Sequence, residues 1–199
     1  MSAEKLSTKI RREQIARAAL ALVASRGLRR LSVAAVAREV GIVPSAIYRH
    51  FQSKGKVLDA ILDLIRERLV GNVEAVRRET PEPMERLRRL LMRHARLIRE
   101  NRGIPHILFS DDFYTGHPTR RAKFYRGLRE YLAGVARIVR EGQLAGEVRR
   151  EIDPRTVSVM FLGLVQPAAV LWHLSDGRFN VMAQARNAWR VMEEAIRAK

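Results

Sequence analysis

Side chains that could bind an anion are concentrated at the start of this chain of 199 residues. Residues 1–56 hold 12 basic and 3 acidic residues, whereas residues 57–199 hold 26 and 18. The first quarter of the chain therefore carries about half of the net charge of +17. An excess of Lys and Arg of this kind favours an anionic partner, with nucleic acid as the first candidate and a membrane surface as the second.

Residue types that could support catalysis or bind a metal lack the spacing that such chemistry needs. The metal-ligand candidates in the middle of the chain are His94, His106, Asp111, Asp112 and His117. They do not form a pattern such as H-E-x-x-H, so we expect no metal site. The sequence contains no P-loop, G-x-S-x-G or G-x-G-x-x-G motif, and the absence of cysteine excludes a thiol nucleophile. We therefore expect neither an enzyme nor a bound cofactor.

The elements that position the basic residues are predicted to be helices throughout. Ala, Leu and Arg are abundant and aromatic residues make up only 6% of the chain, which favours helices over strands. Periodicity, caps and breakers predict an all-α chain of about nine helices, near residues 6–26, 32–40, 44–50, 53–79, 84–101, 104–114, 118–144, 154–174 and 180–198. Three short helices precede longer ones, so we expect a small domain over residues 1–52 and a larger helical domain over residues 53–199.

The most informative stretch of the sequence runs from Leu31 to Asp59. Its apolar positions are those needed to bury two short crossing helices, namely Val36, Val40, Ile42, Ile47 and Phe51. Ala37 is small enough for a close crossing, and Gly41 tolerates the positive φ of a tight turn. This is a helix-turn-helix pattern, in which the second helix enters the major groove of DNA.

The same stretch resembles a known family. Residues 8–27, TKIRREQIARAALALVASRG, followed by residues 31–62, LSVAAVAREVGIVPSAIYRHFQSKGKVLDAIL, are similar to the TetR family of transcriptional regulators. The most diagnostic part is IYRHF at residues 47–51, followed by Ser53 and Lys54. The sequence departs from the family pattern at Val43, where a small polar residue is common, and at Gly55, where an acidic residue is common. The resemblance implies a DNA-binding domain joined to a ligand-binding and dimerisation domain.

The resemblance and side-chain chemistry together suggest which residues contact DNA. These are Ser32, Val43, Pro44, Ser45, Ala46, Tyr48, Arg49, His50 and Lys54. Tyr48, Lys54 and the Ser32 hydroxyl would contact phosphates, as would His50. Arg49 is the candidate for a bidentate contact with guanine, and Ala46 could touch a thymine methyl group.

The last two helices are expected to form a homodimer. Residues 157–174 are apolar nearly all round, which is typical of a helix buried on several sides or lying in a membrane. The segment is short for a membrane span and contains polar residues, so burial against a second subunit is the better interpretation. With the apolar stripe of the last helix, it resembles the four-helix dimer interface of the family; that stripe comprises Met182, Ala185, Ala188, Trp189, Met192 and Ile196. A two-fold dimer requires a palindromic operator.

The larger domain is expected to hold a small effector that is apolar or amphipathic. The candidate pocket residues are Met92, Leu108, Phe109, Phe113, Phe124, Leu128, Tyr131, Met160 and Phe161, with Gln166 as a polar anchor. Pro167 should kink its helix, and such defects can line cavities. The long fourth helix would then link effector binding to release of the operator.

These inferences predict a cytoplasmic, ligand-responsive transcriptional regulator, most simply a repressor. The N-terminus, MSAEKLSTKIRRE, lacks the apolar segment of a secretory signal. Two alternatives stay open at this point. One is a DNA-binding protein that does not switch and whose C-terminal domain only dimerises. The other is a basic helical protein attached to an anionic membrane surface.

Overall fold

The computed structural model describes residues 3–108, 110 and 117–198, and these residues form helices joined by short turns. The α-helices are α1 (Ala3–Arg26), α2 (Val33–Val40), α3 (Pro44–Tyr48), α4 (Lys54–Glu79), α5 (Pro83–Glu100), α6 (Gly103–Leu108), α7 (Pro118–Leu144), α8 (Pro154–Gly163), α9 (Gln166–Leu174) and α10 (Val181–Ile196). A 3₁₀ turn covers Leu28–Arg30, and one isolated antiparallel bridge pairs Val148 with Arg197. The predicted all-α fold is confirmed.

Several helix starts are fixed by side-chain caps that the sequence predicts. The Ser32 Oγ atom accepts a hydrogen bond from the Ala35 N–H at 3.1 Å, which starts α2. The Asp153 carboxylate accepts from the Thr156 N–H at 2.9 Å, and Pro154 occupies the first turn of α8. Each cap satisfies a backbone donor that has no partner within its own helix.

The segment predicted as one helix from residue 154 to 174 is interrupted. α8 ends at Gly163 and α9 begins at Gln166, with Leu164 and Val165 in the turn between them. The cause is Pro167, which has no N–H to donate and whose ring would clash with the carbonyl four residues earlier, at Gly163. The expected kink at Pro167 is therefore confirmed as a break. Among the described residues, only the run Pro154–Leu174 is long and apolar enough to cross a membrane, and 39% of its most apolar window is buried in the protein.

The chain divides into two compact units. The first contains residues 1–67 and 101–124, and the second contains residues 68–100 and 125–199. The division falls inside α4 and inside α7, so each of these helices contributes to both units. The domain boundary expected near residue 53 stays a prediction, and the first unit includes more of α4 than that boundary does.

The first unit is built around α1. This helix packs on α2 and α6, and α2 packs on α3. Ile15, Val36 and Ile47 are completely buried in this core. α6 approaches α1 so closely that a Cβ atom at Gly103 would lie 2.3 Å from the Leu20 carbonyl oxygen, and only glycine fits at that position.

The second unit has its main core between α4, α5, α7, α8 and α10. The large buried side chains of this core include Leu87, Leu90, Leu91, Tyr131, Val135, Ile138, Phe161, Trp189 and Met192. A smaller cluster contains Ala95, Ala168, Trp172, Val181 and Ala185. Leu87, Leu90 and Leu91 are fully buried because they recur at helical spacing on the face of α5 that meets α10.

The apolar stripe of the last helix has a different role from the one expected. Ala185, Trp189, Met192 and Ile196 are buried against their own chain, so these four residues are core and offer no surface to a second subunit. The exposed large apolar side chains near the C-terminus are instead Val159, Met160, Leu171, Leu174 and Val191. Periodicity correctly identified an apolar face of α10, but it was wrong about what that face contacts.

Candidate nucleic-acid interface

A short turn holds α2 against α3. Gly41 has φ +75°, a left-handed conformation that favours glycine, and it ends α2. The Ile42 N–H donates to the Ala37 carbonyl at 3.0 Å and closes the turn. Ile47 and Phe51 are buried beneath the two helices, so α3 is anchored to the unit by one side only.

The opposite side of α3 is exposed and carries most of the predicted DNA contacts. Val43 is 63% exposed and Tyr48 is 54% exposed. Pro44, Ser45 and Arg49 are also exposed, whereas Ala46 and His50 are half-buried, and Ser32 is exposed at the start of α2. Because α3 ends at Tyr48, Arg49 is its C-cap residue and His50 lies just beyond the helix. The predicted contacts on α3 therefore share one face of the turn and the short helix.

Arg12 of α1 holds the end of this segment in place. Its Nη1 atom donates to the His50 carbonyl at 2.9 Å, and its guanidinium carbon lies 4.5 Å from the centre of the Phe51 ring. A cation over an aromatic face is attractive, and the hydrogen bond fixes the chain that follows α3. No local sequence pattern indicates this role of Arg12, because 38 residues separate it from His50.

The same neighbourhood lowers the pKa of His50 below its usual value. Partial burial is the main cause, followed by the positive charges of Arg12, Arg11 and Arg49. The imidazole of the unbound protein is therefore neutral at pH 7 and can still donate one N–H.

Lys54 is held by the fold as well as being available to an anion. Its ammonium group donates to the Leu28 carbonyl at 3.1 Å, and the residue is half-buried. An ammonium has three donors, so this bond leaves others for a phosphate. Lys54 therefore ties the start of α4 to the turn that precedes α2.

Two ion pairs fix the start of α7 against the start of α4. The Arg120 Nε atom lies 3.2 Å from an Asp59 carboxylate oxygen, and the side chain of Arg120 is only 6% exposed. The Lys123 ammonium lies 2.7 Å from the Asp63 carboxylate. Gly55 makes room for this arrangement, since a Cβ atom there would lie 3.2 Å from the Arg120 Nη2 atom. The departure from the family pattern at Gly55 thus has a local physical reason.

The second unit contains a buried polar pair among apolar residues. The His94 Nδ1 atom and the Tyr131 hydroxyl oxygen are 3.1 Å apart, and the two rings meet edge to face at 5.3 Å. Burial lowers the pKa of His94 to about 4 and raises the pKa of Tyr131. Both side chains are therefore neutral at pH 7, and each satisfies a polar atom of the other.

The predicted effector residues are only partly brought together. Tyr131 and Phe161 share the main core of the second unit, and Met92 packs against both of its clusters. Leu128 and Gln166 are half-buried, whereas Met160 is 53% exposed and faces away from the interior of its own protomer. Phe124 belongs to the first unit. The side chain of Leu108, and Phe109 and Phe113 entirely, lie outside the described residues.

Two surface clefts lie elsewhere in the described structure. One of about 310 Å³ runs between α1 and α4 in the first unit, and one of about 440 Å³ lies between α4 and α5 in the second. Neither is lined by a predicted effector residue. No group of three or more His, Asp or Glu side chains with the geometry to bind a metal occurs within the described part of the chain.

Comparison with known families decides the identity of this fold. Residues 15–61 match the family described as bacterial regulatory proteins, tetR family. Residues 80–196 match a tetracyclin repressor-like C-terminal domain, and this match alone spans more than half of the chain. The chain belongs to the TetR family. It is a transcriptional regulator with an N-terminal helix-turn-helix DNA-binding domain.

Individual relatives of this TetR-family protein are distant but cover more than nine-tenths of its length. The nucleoid occlusion factor SlmA of Haemophilus influenzae is 26% identical over 202 residues, which cover 96% of this chain and 88% of that protein. The fatty acid degradation regulator FadR from Bacillus halodurans is 21% identical with a TM-score of 0.81, covering 94% and 97% of the two chains. FadR from Bacillus subtilis, solved in complex with stearoyl-CoA, is 21% identical with a TM-score of 0.78, covering 92% and 98%. These structures support the fold of the TetR-family chain.

Proposed function

We propose that this TetR-family regulator is a cytoplasmic repressor that binds a palindromic operator as a homodimer and is released by a small effector. The main support for the proposal is that one side of α3 is buried and the other side is exposed. Ile47 is completely buried, whereas its neighbour Tyr48 is 54% exposed and Arg49 is exposed beside it. A short helix that is anchored on one side and polar on the other can enter the major groove.

The predicted residues make two kinds of contact with DNA, to phosphates and to base edges. Tyr48, His50, Lys54 and the Ser32 hydroxyl contact phosphates and fix the register of the protein on the duplex. Arg49 reads a guanine through its two parallel donors. Among the remaining contacts, Val43, Pro44, Ser45 and Ala46 lie against base edges and the adjacent backbone, with the Ala46 methyl suited to thymine.

The dimer forms through an uncharged face of α8 and α9 together with α10. Residues 156–175 contain no Asp, Glu, Lys or Arg. Val159 of α8 and Leu171 and Leu174 of α9 are 58%, 47% and 73% exposed. Val191 of α10 is 70% exposed. Exposed apolar side chains on uncharged helices are costly in water and favour a protein–protein interface.

The effector is an apolar or amphipathic small molecule that binds in the second unit. Apolar side chains dominate this unit, and the His94–Tyr131 pair supplies hydrogen-bonding groups in its interior. Among the similar structures, one holds stearoyl-CoA and another, SmeT, was solved with triclosan. A ligand releases the operator only if it binds the released conformation more tightly than the DNA-bound one.

The decisive experiment for DNA recognition is selection of bound genomic fragments at physiological salt. Wild type is compared with a Tyr48→Ala/Arg49→Ala variant and with a matched Tyr125→Ala/Arg126→Ala variant. The control removes the same two side-chain types from an exposed position on α7, where Tyr125 is 60% exposed. We expect wild type and the control to enrich one palindrome and the α3 variant to lose it. Equal enrichment by both variants would contradict the proposal.

The dimer face is tested by analytical ultracentrifugation of a Leu171→Glu variant. If the face is an interface, a carboxylate at position 171 must be buried without a partner. We therefore expect the dissociation constant of the dimer to increase by at least about tenfold. The control is Leu144→Glu, since Leu144 is 85% exposed but lies at the end of α7, outside the uncharged face. If Leu171→Glu associates as tightly as Leu144→Glu, the assigned face is wrong.

A further inference from the structure

The cleft between α4 and α5 in the second unit has an unusual lining. It measures about 440 Å³ and is lined by Arg68, Gly71, Asn72, Arg93, Arg96, Leu97 and Glu100. Three guanidinium groups and one carboxylate thus line the cleft, and a second carboxylate, that of Glu79, pairs with Arg93. The volume lies within the range of small-molecule sites, but the polar lining distinguishes the cleft from an apolar effector cavity. Its charge favours an anionic occupant.

Arg93 is held in position across this cleft. Its Nη1 atom donates to the Asn72 Oδ1 atom at 3.4 Å, and its Nη2 atom donates to the Glu79 carboxylate. Arg93 belongs to α5 and both partners belong to α4, so the guanidinium spans the two helices. Because Asn72 accepts through its oxygen, its amide nitrogen can donate to a ligand. A pre-positioned guanidinium loses less conformational freedom on binding than a freely moving one.

Gly71 lies in the interior of α4 and opens onto the cleft. A Cβ atom built at this position meets nothing within 4 Å, so packing within the described chain does not require glycine here. Glycine destabilises a helix interior relative to alanine, because it gains more freedom on unfolding. The missing side chain leaves the α4 backbone open to a ligand at this position.

We propose that this cleft binds the diphosphate group of a nucleotide-like small molecule. The exposed guanidinium group of Arg96 matches phosphate oxygens through paired donors, and the positive charges of Arg68 and Arg93 attract the same anion. Glu100 accepts a hydrogen bond from a hydroxyl or amino group next to the diphosphate, as a carboxylate does toward ribose in dinucleotide sites. The proposal rests on the proposed function in one respect, since it gives the regulator an effector class with an anionic end.

The shape of the cleft favours a small molecule over a DNA backbone. Leu97 at the base of the cleft is only 7% exposed and Arg68, Asn72 and Arg93 are half-buried, whereas Gly71, Arg96 and Glu100 are exposed at its rim. A duplex is a wide rod whose phosphates contact protruding side chains, whereas a free diphosphate can enter the recess. Binding of DNA phosphates at this position is therefore a contrary outcome of the test below.

The test is isothermal titration of the full chain with ADP at constant ionic strength and without divalent ions. The cleft variants are Arg96→Gln, which removes a charge, and Gly71→Leu, which fills the space while improving helix propensity. The matched control is Arg137→Gln, since Arg137 is exposed on α7 and lies outside the cleft. Adenosine, which lacks phosphate, and a 16-base-pair duplex without operator sequence are titrated alongside.

We expect wild type to bind one ADP per protomer and adenosine not to bind. Arg96→Gln should weaken ADP binding by about fivefold or more, Gly71→Leu should abolish it, and Arg137→Gln should leave it within about twofold. The proposal is wrong if wild type does not bind ADP, if Arg137→Gln loses as much affinity as Arg96→Gln, if Gly71→Leu binds normally, or if the duplex displaces ADP. Operator selection uses no nucleotide, so its failure and a failure here are separate results.

Discussion

The buried His94–Tyr131 pair makes the stability of the second unit sensitive to acid. The pKa of His94 is about 4 in the folded protein, compared with 6.5 for an unperturbed histidine. Below pH 6.5 the unfolded chain therefore binds a proton that the folded chain does not. Stability is lost as the pH falls from 6.5 toward 4, and the full loss from this residue is about 3 kcal/mol. Between about pH 7.5 and pH 5 the expected loss is about 2 kcal/mol.

Urea unfolding followed by tryptophan fluorescence measures this loss of stability in the second unit, which contains His94. The chain has two tryptophans, and both Trp172 and Trp189 are buried in the second unit. The test variant is His94→Leu/Tyr131→Phe, which removes both polar partners and leaves neither unsatisfied. A His94→Leu single variant would instead bury a lone tyrosine hydroxyl, at a cost of about 1–3 kcal/mol at any pH.

The comparison isolates His94 from the other histidines. We expect wild type and a His117→Gln control to lose stability in parallel, because His117 is exposed. The double variant should lose about 2 kcal/mol less than wild type between about pH 7.5 and pH 5. The pKa of Glu85 is lowered to about 2 by Arg88 and Arg89, so Glu85 stabilises the fold throughout this pH range. Its contribution to stability is lost only below the pKa of a free glutamate, which lies outside the window. Equal pH dependence in wild type and the double variant would refute the reasoning.

Three further predictions concern His50, Gly103 and Gly71. A DNA phosphate in contact with His50 would raise its pKa from the lowered value in the free protein, so we expect operator binding to take up a proton. Affinity measured by fluorescence anisotropy should therefore rise more steeply from pH 8 to pH 6 in wild type than in His50→Gln. Equal slopes would contradict a phosphate contact. Gly103→Ala should lower the free energy of unfolding by about 2 kcal/mol or more, because its Cβ would meet the Leu20 carbonyl at 2.3 Å. A stabilising effect of Gly103→Ala would show that the close contact between α6 and α1 is wrong. Gly71→Ala should raise the free energy of unfolding by about 0.5–1 kcal/mol.

The parts of the fold that depend on local sequence could be predicted. Ser32 and Asp153 cap helices as expected, because a cap involves residues only three positions apart. Gly41 adopts the positive φ that the turn requires, and Pro167 interrupts its helix. Each of these outcomes follows from the stereochemistry of one residue and its immediate neighbours.

The parts that depend on which elements meet could not be predicted. Arg12 and Arg120 pair with groups 38 and 61 residues away, and no local pattern specifies such partners. The apolar stripe of α10 was recognised, but periodicity does not tell whether Trp189 faces its own core or a second subunit. The predicted DNA contacts and effector residues stay predictions, with Phe109 and Phe113 outside the described residues.

The central claim, that α3 reads base sequence, is tested most directly by the base preferences of an Arg49→Gln variant. Binding energies are measured for every single-base change in the selected operator, for this variant and for wild type. We predict that Arg49→Gln loses discrimination of about 1–3 kcal/mol at one guanine in each half-site and keeps its preferences elsewhere. A uniform loss of affinity across all sequences would contradict the account, because it would make Arg49 a phosphate contact.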